Sequence, residues 1–423
     1  SSQASQREIL HRCICAMSQH IFDERTTQSP WEHLPVITCA GSTPAEIGFS
    51  HGTQLREKVA AALDYYLHLF DSLGLQRSTV SAWGEGYRSE LVKFQPDLAA
   101  EIDGIASGAG RADWELHALN ACSELIAFAG KELAEDCTAV YCPASGLLAQ
   151  SWHLDKQVSS LAVLLRIPRH GKTPQVLTVT VPGMLGKAGL NDCGVGVCLS
   201  FMPGPEASSR PVGIPVHGLL RMTLACNSLP EAHALLTQVH RHCACHMLLG
   251  DSIMQFRMLE FAGEVLECAG EDPNARNIGM EDPVEGAEWQ MIPPTAIFHT
   301  SHYLHPRLAS LFIKKMPQSQ ERYRRVSEII DEYDVAAESA PRRTKKSAKA
   351  SLPKREFDLL KKVIGDRSGP AEPSSHALAG APLSARCSLI MDLRTQCMYI
   401  ACGDVGDVGD QNYTTVPLLS ANL

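Results

Sequence analysis

The segment Glu135-Asp136-Cys137-Thr138 sets a thiol at the first residue of a β-prone run, straight after a helical stretch. A side chain there is expected at a sheet end, exposed to a reactant. A thiol is a weak nucleophile until it is deprotonated, so it needs a base beside it. If the 136–137 peptide bond were cut, Cys137 would carry its own α-amine. Such an amine has a reference pKa of about 7.7–8.0, which suits a base near neutral pH. Nucleophile and base would then share one residue. The competing reading is a structural cysteine at a strand edge, and local sequence alone favours it. The chain has 15 cysteines, an odd number with no repeating spacing. With no secretory signal at the start, free thiols in a reducing compartment are expected rather than a disulfide framework. Something other than residue type must therefore single out Cys137.

A second group is His240-Arg241-His242-Cys243-Ala244-Cys245-His246. Cys and His are zinc ligands, but the run is too compact for a closed tetrahedral site and no second ligand pair lies at a typical distance. Packing and site-lining roles are expected, and no metal. His299 and His302 read as satisfied polar groups where a helix begins. Asn191, in Asn191-Asp192-Cys193-Gly194, suits a turn, since Asn tolerates positive φ and bonds its own backbone; it also stands to border a pocket.

These residues need elements to hold them. Gly41-Ser42-Thr43-Pro44-Ala45-Glu46 reads as a helix start, with Thr43 as cap, Pro44 at the first helical position and Glu46 closing a capping box. Apolar residues then recur at helical spacing from Ile47 to Leu69. Further helices are expected over 96–106 and 114–129, with a short amphipathic stretch earlier, from Ile9 to Ile21. At Cys137 the period changes to strands over 137–142, 147–154, 161–167, 176–181 and 194–201, joined by tight turns as in an antiparallel meander. Helices return at 213–227 and 229–241, the second opened by Ser228-Leu229-Pro230-Glu231. Strands follow at 245–249, 253–261 and 264–268, then helices at 302–316 and 318–333. The chain closes with a hairpin near 386–392 and 396–402. The Ala-, Ser-, Lys- and Arg-rich segment 336–355 has no apolar face and reads as a solvated, mobile basic loop. Helices, strands, helices and strands in turn suggest a layered α+β fold with antiparallel sheets.

The 423 residues are 44 % hydrophobic and 20 % charged, ordinary for a globular protein with a large core. A net charge of −9 argues against a nucleic-acid or anionic-membrane binder. No apolar run reaches the roughly 18 residues of a membrane helix. The polar start, Ser1-Ser2-Gln3-Ala4-Ser5, has no signal-peptide pattern.

Several motifs keep one order along the chain. They are Gly41 to Gly52; Glu101-Ile102-Asp103-Gly104-Ile105-Ala106; Leu119-Asn120-Ala121-Cys122-Ser123-Glu124-Leu125; Asp136-Cys137-Thr138-Ala139-Val140 with Gln150-Ser151-Trp152; Gly186-Lys187-Ala188-Gly189-Leu190-Asn191-Asp192-Cys193-Gly194; Gly213 to Arg221; His299-Thr300-Ser301-His302-Tyr303; and Ile390-Met391-Asp392. Together the set resembles the isopenicillin-N acyltransferase-like family, cysteine peptidase family C45 of the N-terminal-nucleophile superfamily. The resemblance implies an αββα sandwich, two antiparallel sheets between helical layers. It implies a precursor that cuts itself between Asp136 and Cys137. The products would be a mainly helical 1–136 and a β-rich, nucleophile-bearing 137–423 of the same domain, held together as a heterodimer. It further implies an N-acyltransferase moving an acyl group from acyl-CoA to an amine, or an amidohydrolase using water, through an acyl-enzyme on Cys137 and with no cofactor.

This chain departs from the family pattern at three places. Asp136 stands where the family has Gly, and a residue with a Cβ resists the backbone strain that Gly allows. His246 stands where an oxyanion-hole Asn is expected, and an imidazole N–H can also donate to a developing negative charge. His153 follows Trp152 where the family tends to be acidic; Asp155 shares a strand face with it and is the candidate orienting group. Thr138, His153 and Asn191 are the substrate-binding candidates. A catalytically silent, uncleaved relative with a binding or regulatory role is the alternative. Cytoplasm is the expected location. Ala421-Asn422-Leu423 partly matches a peroxisomal Ser-Lys-Leu address without its basic middle residue.

Overall fold

The computed structural model describes residues 34–130, 137–154, 156–204, 208–269, 295–311, 316–339, 345–366, 385–404 and 413–419. The stretch Ile9–Ile21, Asp136, Asp155 and the last three residues lie outside them, and the side chain of His153 is likewise not described.

The strands are β1 (Val36–Thr38), β2 (Thr138–Cys142), β3 (Leu147–Leu154), β4 (Val163–Ile167), β5 (Val176–Thr180), β6 (Ala188–Asn191), β7 (Val195–Phe201), β8 (Cys243–Asp251), β9 (Phe256–Gly263), β10 (Val265–Ala269), β11 (Ile297–His299), β12 (Ala385–Asp392), β13 (Cys397–Asp404) and β14 (Thr414–Pro417). They form an eight-stranded sheet in the order β1-β4-β5-β6-β7-β8-β9-β10 and a six-stranded sheet in the order β11-β2-β3-β12-β13-β14. Every pairing is antiparallel except β1 with β4. That exception follows from connectivity: the whole helical run intervenes between those two strands, and a long crossover permits parallel pairing. Strands β1, β6, β11 and β14 were not anticipated. Three or four residues each, they are too short to show a period.

The helices are α1 (Pro44–Gln54), α2 (Arg56–Ser72), α3 (Arg77–Phe94), α4 (Pro96–Ala109), α5 (Asp113–Asn120), α6 (Cys122–Phe128), α7 (Lys156–Ser159), α8 (Val216–Leu224), α9 (Leu229–Gln238), α10 (Pro306–Leu311), α11 (Pro317–Ser339) and α12 (Lys345–Gly365). The expected start is present: Thr43 Oγ1 accepts the Glu46 N–H, and the Glu46 carboxylate accepts those of Ser42 and Thr43. The run expected as one helix from Ile47 to Leu69 is two, broken at Leu55, and the one expected over 114–129 divides at Ala121. Helices α1 and α4 cross backbone to backbone. A Cβ on Gly48 would lie 1.9 Å from Glu101 O, and one on Gly104 would lie 2.3 Å from Ala45 O.

The two sheets face each other. Tyr141 on β2 donates its hydroxyl to Asp251 O on β8 at 2.6 Å, and the Gln150 amide on β3 bonds both backbone groups of Leu199 on β7. Helix α8 covers the outer face of the larger sheet, where His217 meets Phe201 edge-on at 6.0 Å. Helices α11 and α12 cover the smaller sheet, with Phe357 edge-on to Tyr399 at 4.9 Å in a separate buried cluster. The order is therefore helix, sheet, sheet, helix, the αββα sandwich that the resemblance implies.

Two expectations are corrected. The basic stretch 336–355 is not a loop throughout, since Val335 to Ser339 finish α11 and Lys345 begins α12. Ala, Lys, Arg and Leu are strong helix formers, and α12 gains its apolar anchor further on, at Phe357, Leu360 and Ile364. The thiols are not all free: Cys387 on β12 and Cys402 on β13 form a disulfide. They are direct register partners, a pairing no spacing along the chain would reveal. Arg166 on β4 ties distant parts together. Its guanidinium donates to Leu418 O at 2.8 Å, to Pro417 O at 2.7 Å and to Thr38 Oγ1 at 3.4 Å.

Candidate active site

Cys137 immediately precedes β2, and β2 is an inner strand between β11 and β3. The expected exposed position is corrected: Cys137 is fully buried, because its side chain lies in the core between the two sheets. Side chains alternate along the strand. Cys137, Ala139 and Tyr141 belong to the core between the sheets, whereas Val140 and Cys142 pack with the α11–α12 layer. Thr138 follows that second set, so its side chain faces away from the thiol, while its N–H donates to Ser151 Oγ at 3.1 Å. Ser301, just after β11, donates its hydroxyl to Cys137 O at 3.5 Å. Continuing the β2–β3 register sets Trp152 beside Cys137. His299 pairs with Ala139. It is thus the diagonal neighbour of Cys137, at the roughly 7–8 Å that an aromatic ring can span.

The larger sheet answers from across the gap. His246 sits on β8 with Ser200 opposite it on β7 and Glu260 opposite it on β9. Its ring lies flat on that of His299, with centroids 3.5 Å apart and planes 7° from parallel. His299 Nε2 bonds Glu260 Oε1 at 2.9 Å, and the same carboxylate accepts the N–H groups of Leu304 at 2.6 Å and His305 at 3.0 Å. Burial pushes the Glu260 carboxyl up. The hydrogen bond and charge of His299, with the two backbone amides, outweigh that and hold it below the usual carboxylate range. Burial first, and then charge on His299, hold His246 well below the ordinary imidazole range. His246 is therefore neutral and presents one N–H donor and one lone pair.

Neither nitrogen of His246 has a hydrogen-bond partner among the described residues, nor do His299 Nδ1, Ser200 Oγ and Trp152 Nε1. A buried polar group left unmade costs about 1–3 kcal/mol. Several in one place mark a spot where the fold tolerates that cost, and such spots call for an explanation. Close by is a tight gap, with no room for a water molecule, lined by Gln150, Trp152, Val179, Lys187, Ala188, Leu199 and Leu389. Lys187 reaches it from the segment before β6, with Nζ 4.4 Å from the Phe201 ring centre and 5.8 Å from that of Trp152.

Motif residues far from the thiol position this segment. His51 Nε2 accepts the Gly183 N–H at 3.1 Å. Asn120 donates to Gly183 O and accepts from Leu185 N–H, each at 2.9 Å. Asn191 is consumed by its turn: its amide donates to Leu224 O and Cys226 O and accepts from Cys193 and Val195 N–H. The compact His/Cys run does not converge. His240 lies 3.7 Å from Glu264, and Cys243 and Cys245 are buried free thiols. Among the described residues no group of three His, Cys, Asp or Glu is placed to hold a metal ion. No described helix is long and apolar enough to cross a membrane.

The structure thus links Cys137 and His246 through His299, which stacks on the His246 ring and is the diagonal strand neighbour of Cys137. His153 pairs through its backbone with Arg386. Glu260, Ser200 and the role of His299 escaped the sequence. The signal for Glu260 was a carboxylate inside the apolar run Met258-Leu259-Glu260-Phe261. A charge there is buried and almost never unpaired.

Comparison with known proteins adds the chemistry. The family model described as acyl-coenzyme A:6-aminopenicillanic acid acyl-transferase matches residues 164–358, a span that includes His246, Glu260 and His299 and begins after Cys137. The acyl-coenzyme A:6-aminopenicillanic-acid-acyltransferase 40 kDa form of Emericella nidulans is 28 % identical over 309 residues, 72 % of this chain and 79 % of the relative. Penicillin V acylase from Agrobacterium tumefaciens overlays with a TM-score of 0.38 at 11 % identity, over 66 % of this chain and 90 % of the other. A mutant conjugated bile acid hydrolase from Clostridium perfringens gives a TM-score of 0.38 at 15 % identity, over 66 % and 96 %. The family model and the curated relative make this chain similar to enzymes of the acyltransferase class. Within that class, the resemblance to the isopenicillin-N acyltransferase-like family holds.

Proposed function

We propose that this chain is a cysteine N-terminal-nucleophile enzyme that frees Cys137 by cutting itself after Asp136 and then handles acyl groups through a thioester on Cys137. The observation that carries this is the setting of Cys137: it heads an inner strand, among the unpartnered polar atoms of His246, His299, Ser200 and Trp152. In maturation the Cys137 sulfur attacks the carbonyl carbon of residue 136. The peptide C–N bond breaks as the C–S bond forms, and the nitrogen takes the thiol proton. Water then cleaves the thioester, leaving a free amine on Cys137 and a carboxylate on Asp136. The fragments 1–136 and 137–423 stay together through the core they share.

In turnover the α-amine takes the thiol proton, and the thiolate attacks the carbonyl of an acyl donor of the acyl-CoA or amide kind. The His246 N–H meets the oxyanion. Its collapse expels the leaving thiol or amine, which recovers the proton. An acceptor amine then gives transfer, and water gives hydrolysis. Asp155 orients the α-amine, and Thr138 (through its backbone) and His153 border the substrate; Asn191, spent on its turn at the other end of β6, holds that turn instead. No cofactor is needed.

The test is the intact mass of the freshly purified protein under denaturing conditions, beside Cys137→Ala. Two fragments breaking between Asp136 and Cys137, with one uncut control chain, are expected. A single wild-type chain that also takes up no acyl group on Cys137 would replace this proposal with the silent, uncleaved relative.

A further inference from the structure

We infer that His299 and Glu260 are positioning residues for His246: the carboxylate fixes the His299 ring, and that ring, stacked on His246, fixes the plane in which His246 presents its N–H. The inference deepens the proposal above and rests on its assignment of His246 as oxyanion donor.

The physical case starts from what His246 lacks. A buried imidazole is ordinarily oriented by a hydrogen bond from one nitrogen, which also selects its tautomer. His246 has no such bond on either side among the described residues. What remains to orient it is packing, and the near-parallel face of His299 at 3.5 Å is the contact that does so. His299 is itself anchored. Its Nε2 is held by Glu260, which is in turn held by the Leu304 and His305 amides. All three side chains are fully buried. The chain of restraint therefore runs from two backbone N–H groups, through a carboxylate and one ring, to a second ring with both nitrogens unspent. A purely structural Glu–His pair would explain the anchored turn at 304–305. It would not explain why the ring at its end covers a second imidazole that has no hydrogen bond.

The arrangement also spans the two sheets, since His246 and Glu260 lie in the larger and His299 in the smaller. A stack across the gap sets the donor on one sheet relative to the nucleophile on the other. Displacements of about 1 Å in such a relation are enough to cost a hundredfold in rate.

The test uses the full-length protein and p-nitrophenyl acetate. Cys137 Sγ attacks the ester carbonyl, the C–O bond breaks, p-nitrophenolate leaves and is read optically, and the acetyl group stays as a thioester read by mass. Four proteins are compared: wild type, His299→Gln, His246→Gln and the double variant. His299→Gln keeps an N–H for Glu260 and loses the stack. It is expected to slow acetylation about ten- to a hundredfold with KM changed less than twofold. In the His246→Gln background the same change is expected to slow it no further, because the effect passes through His246. His299→Phe keeps a flat ring and is expected to recover part of the rate lost by His299→Gln.

Independent, multiplying losses in the double variant, or a His299→Phe slower than His299→Gln, would overturn the positioning role. A His246→Gln protein as fast as wild type would instead remove the donor assignment beneath it. No acetylation of wild type would remove both. If His299→Gln does not fold, Glu260→Gln enters the same cycle; its one amide oxygen keeps one of the two backbone N–H groups of Leu304 and His305, and the anchor of the His299 ring is weakened rather than removed.

Discussion

The rings of His246 and His299 lie face to face, 3.5 Å apart and 7° from parallel, although one belongs to the eight-stranded sheet and the other to the six-stranded sheet. No sequence motif joins them. They meet because β8 and β11 face each other across the gap in which Cys137 is buried.

If His246 is the oxyanion donor, the family's own residue should serve in its place. His246→Asn is expected to retain acyl transfer to within about tenfold. His246→Ala is expected to lose about 10²–10³ in kcat, the usual effect of deleting one such donor. Steady-state kinetics on any accepted acyl ester would decide. Equal losses in the two variants would show that the donor is elsewhere.

Buried histidines make stability depend on pH. Burial holds His51 down to about 4, and burial followed by charge on His299 holds His302 down to about 4. The unfolded chain, near the ordinary value of about 6.5, binds these protons first as pH falls. Stability is therefore fully present above about pH 6.5 and is lost between there and about pH 4, at up to about 1.4 kcal/mol per pH unit for each histidine. Glu124, whose carboxyl burial pushes up, opposes this trend at the acid end. Urea midpoints should fall from pH 7 to pH 4, and His51→Gln, which keeps an acceptor for the Gly183 N–H, should flatten the curve. An unchanged slope in that variant would contradict the assignment.

Gly48→Ala should be costly although it adds one methyl. The new Cβ would meet the Glu101 carbonyl at 1.9 Å, and the obstacle is backbone. Overpacking of this kind costs about 1–3 kcal/mol. Thermal denaturation should show a clear drop, while Gly74→Ala, with nothing within 4 Å of its Cβ, should lose only what its φ of +82° imposes.

Cys387–Cys402 closes a loop with a sequence separation of 15. Loops of that size are stabilised by about 3 kcal/mol in the chain-entropy account. Replacing both cysteines by Ala should lower the urea midpoint by a corresponding amount. Thiol titration of the denatured protein, before and after reduction, should differ by two groups for this bridge. No difference would mean that the two sulfurs are reduced in solution.

What could be read in advance follows from how local each cause is. The Thr43–Glu46 box and the Asn191 turn are made by residues a few positions apart, so the sequence displayed them. The β2–β3 hairpin was likewise visible in its alternation and turn. Glu260 and His299 are 39 positions apart and meet through β-register on two different sheets, which no local pattern encodes. Helix α12 is hidden for the opposite reason. Its apolar face begins only at its far end, beyond the basic stretch. The burial of Cys137 is not legible either, because it depends on the larger sheet closing over β2, and that sheet is built from strands far along the chain.

Arg166 holds the strand segment at Thr38 and the close of β14 at Pro417 and Leu418 with a single guanidinium. A short peptide could therefore join those two regions, and the chain could be reopened elsewhere without redrawing either sheet. Opened between Asp136 and Cys137, such a circular permutant would have Cys137 as its first residue once the initiator methionine is trimmed. Its α-amine would come from translation alone, and acyl chemistry could then be studied apart from the proposed self-cleavage.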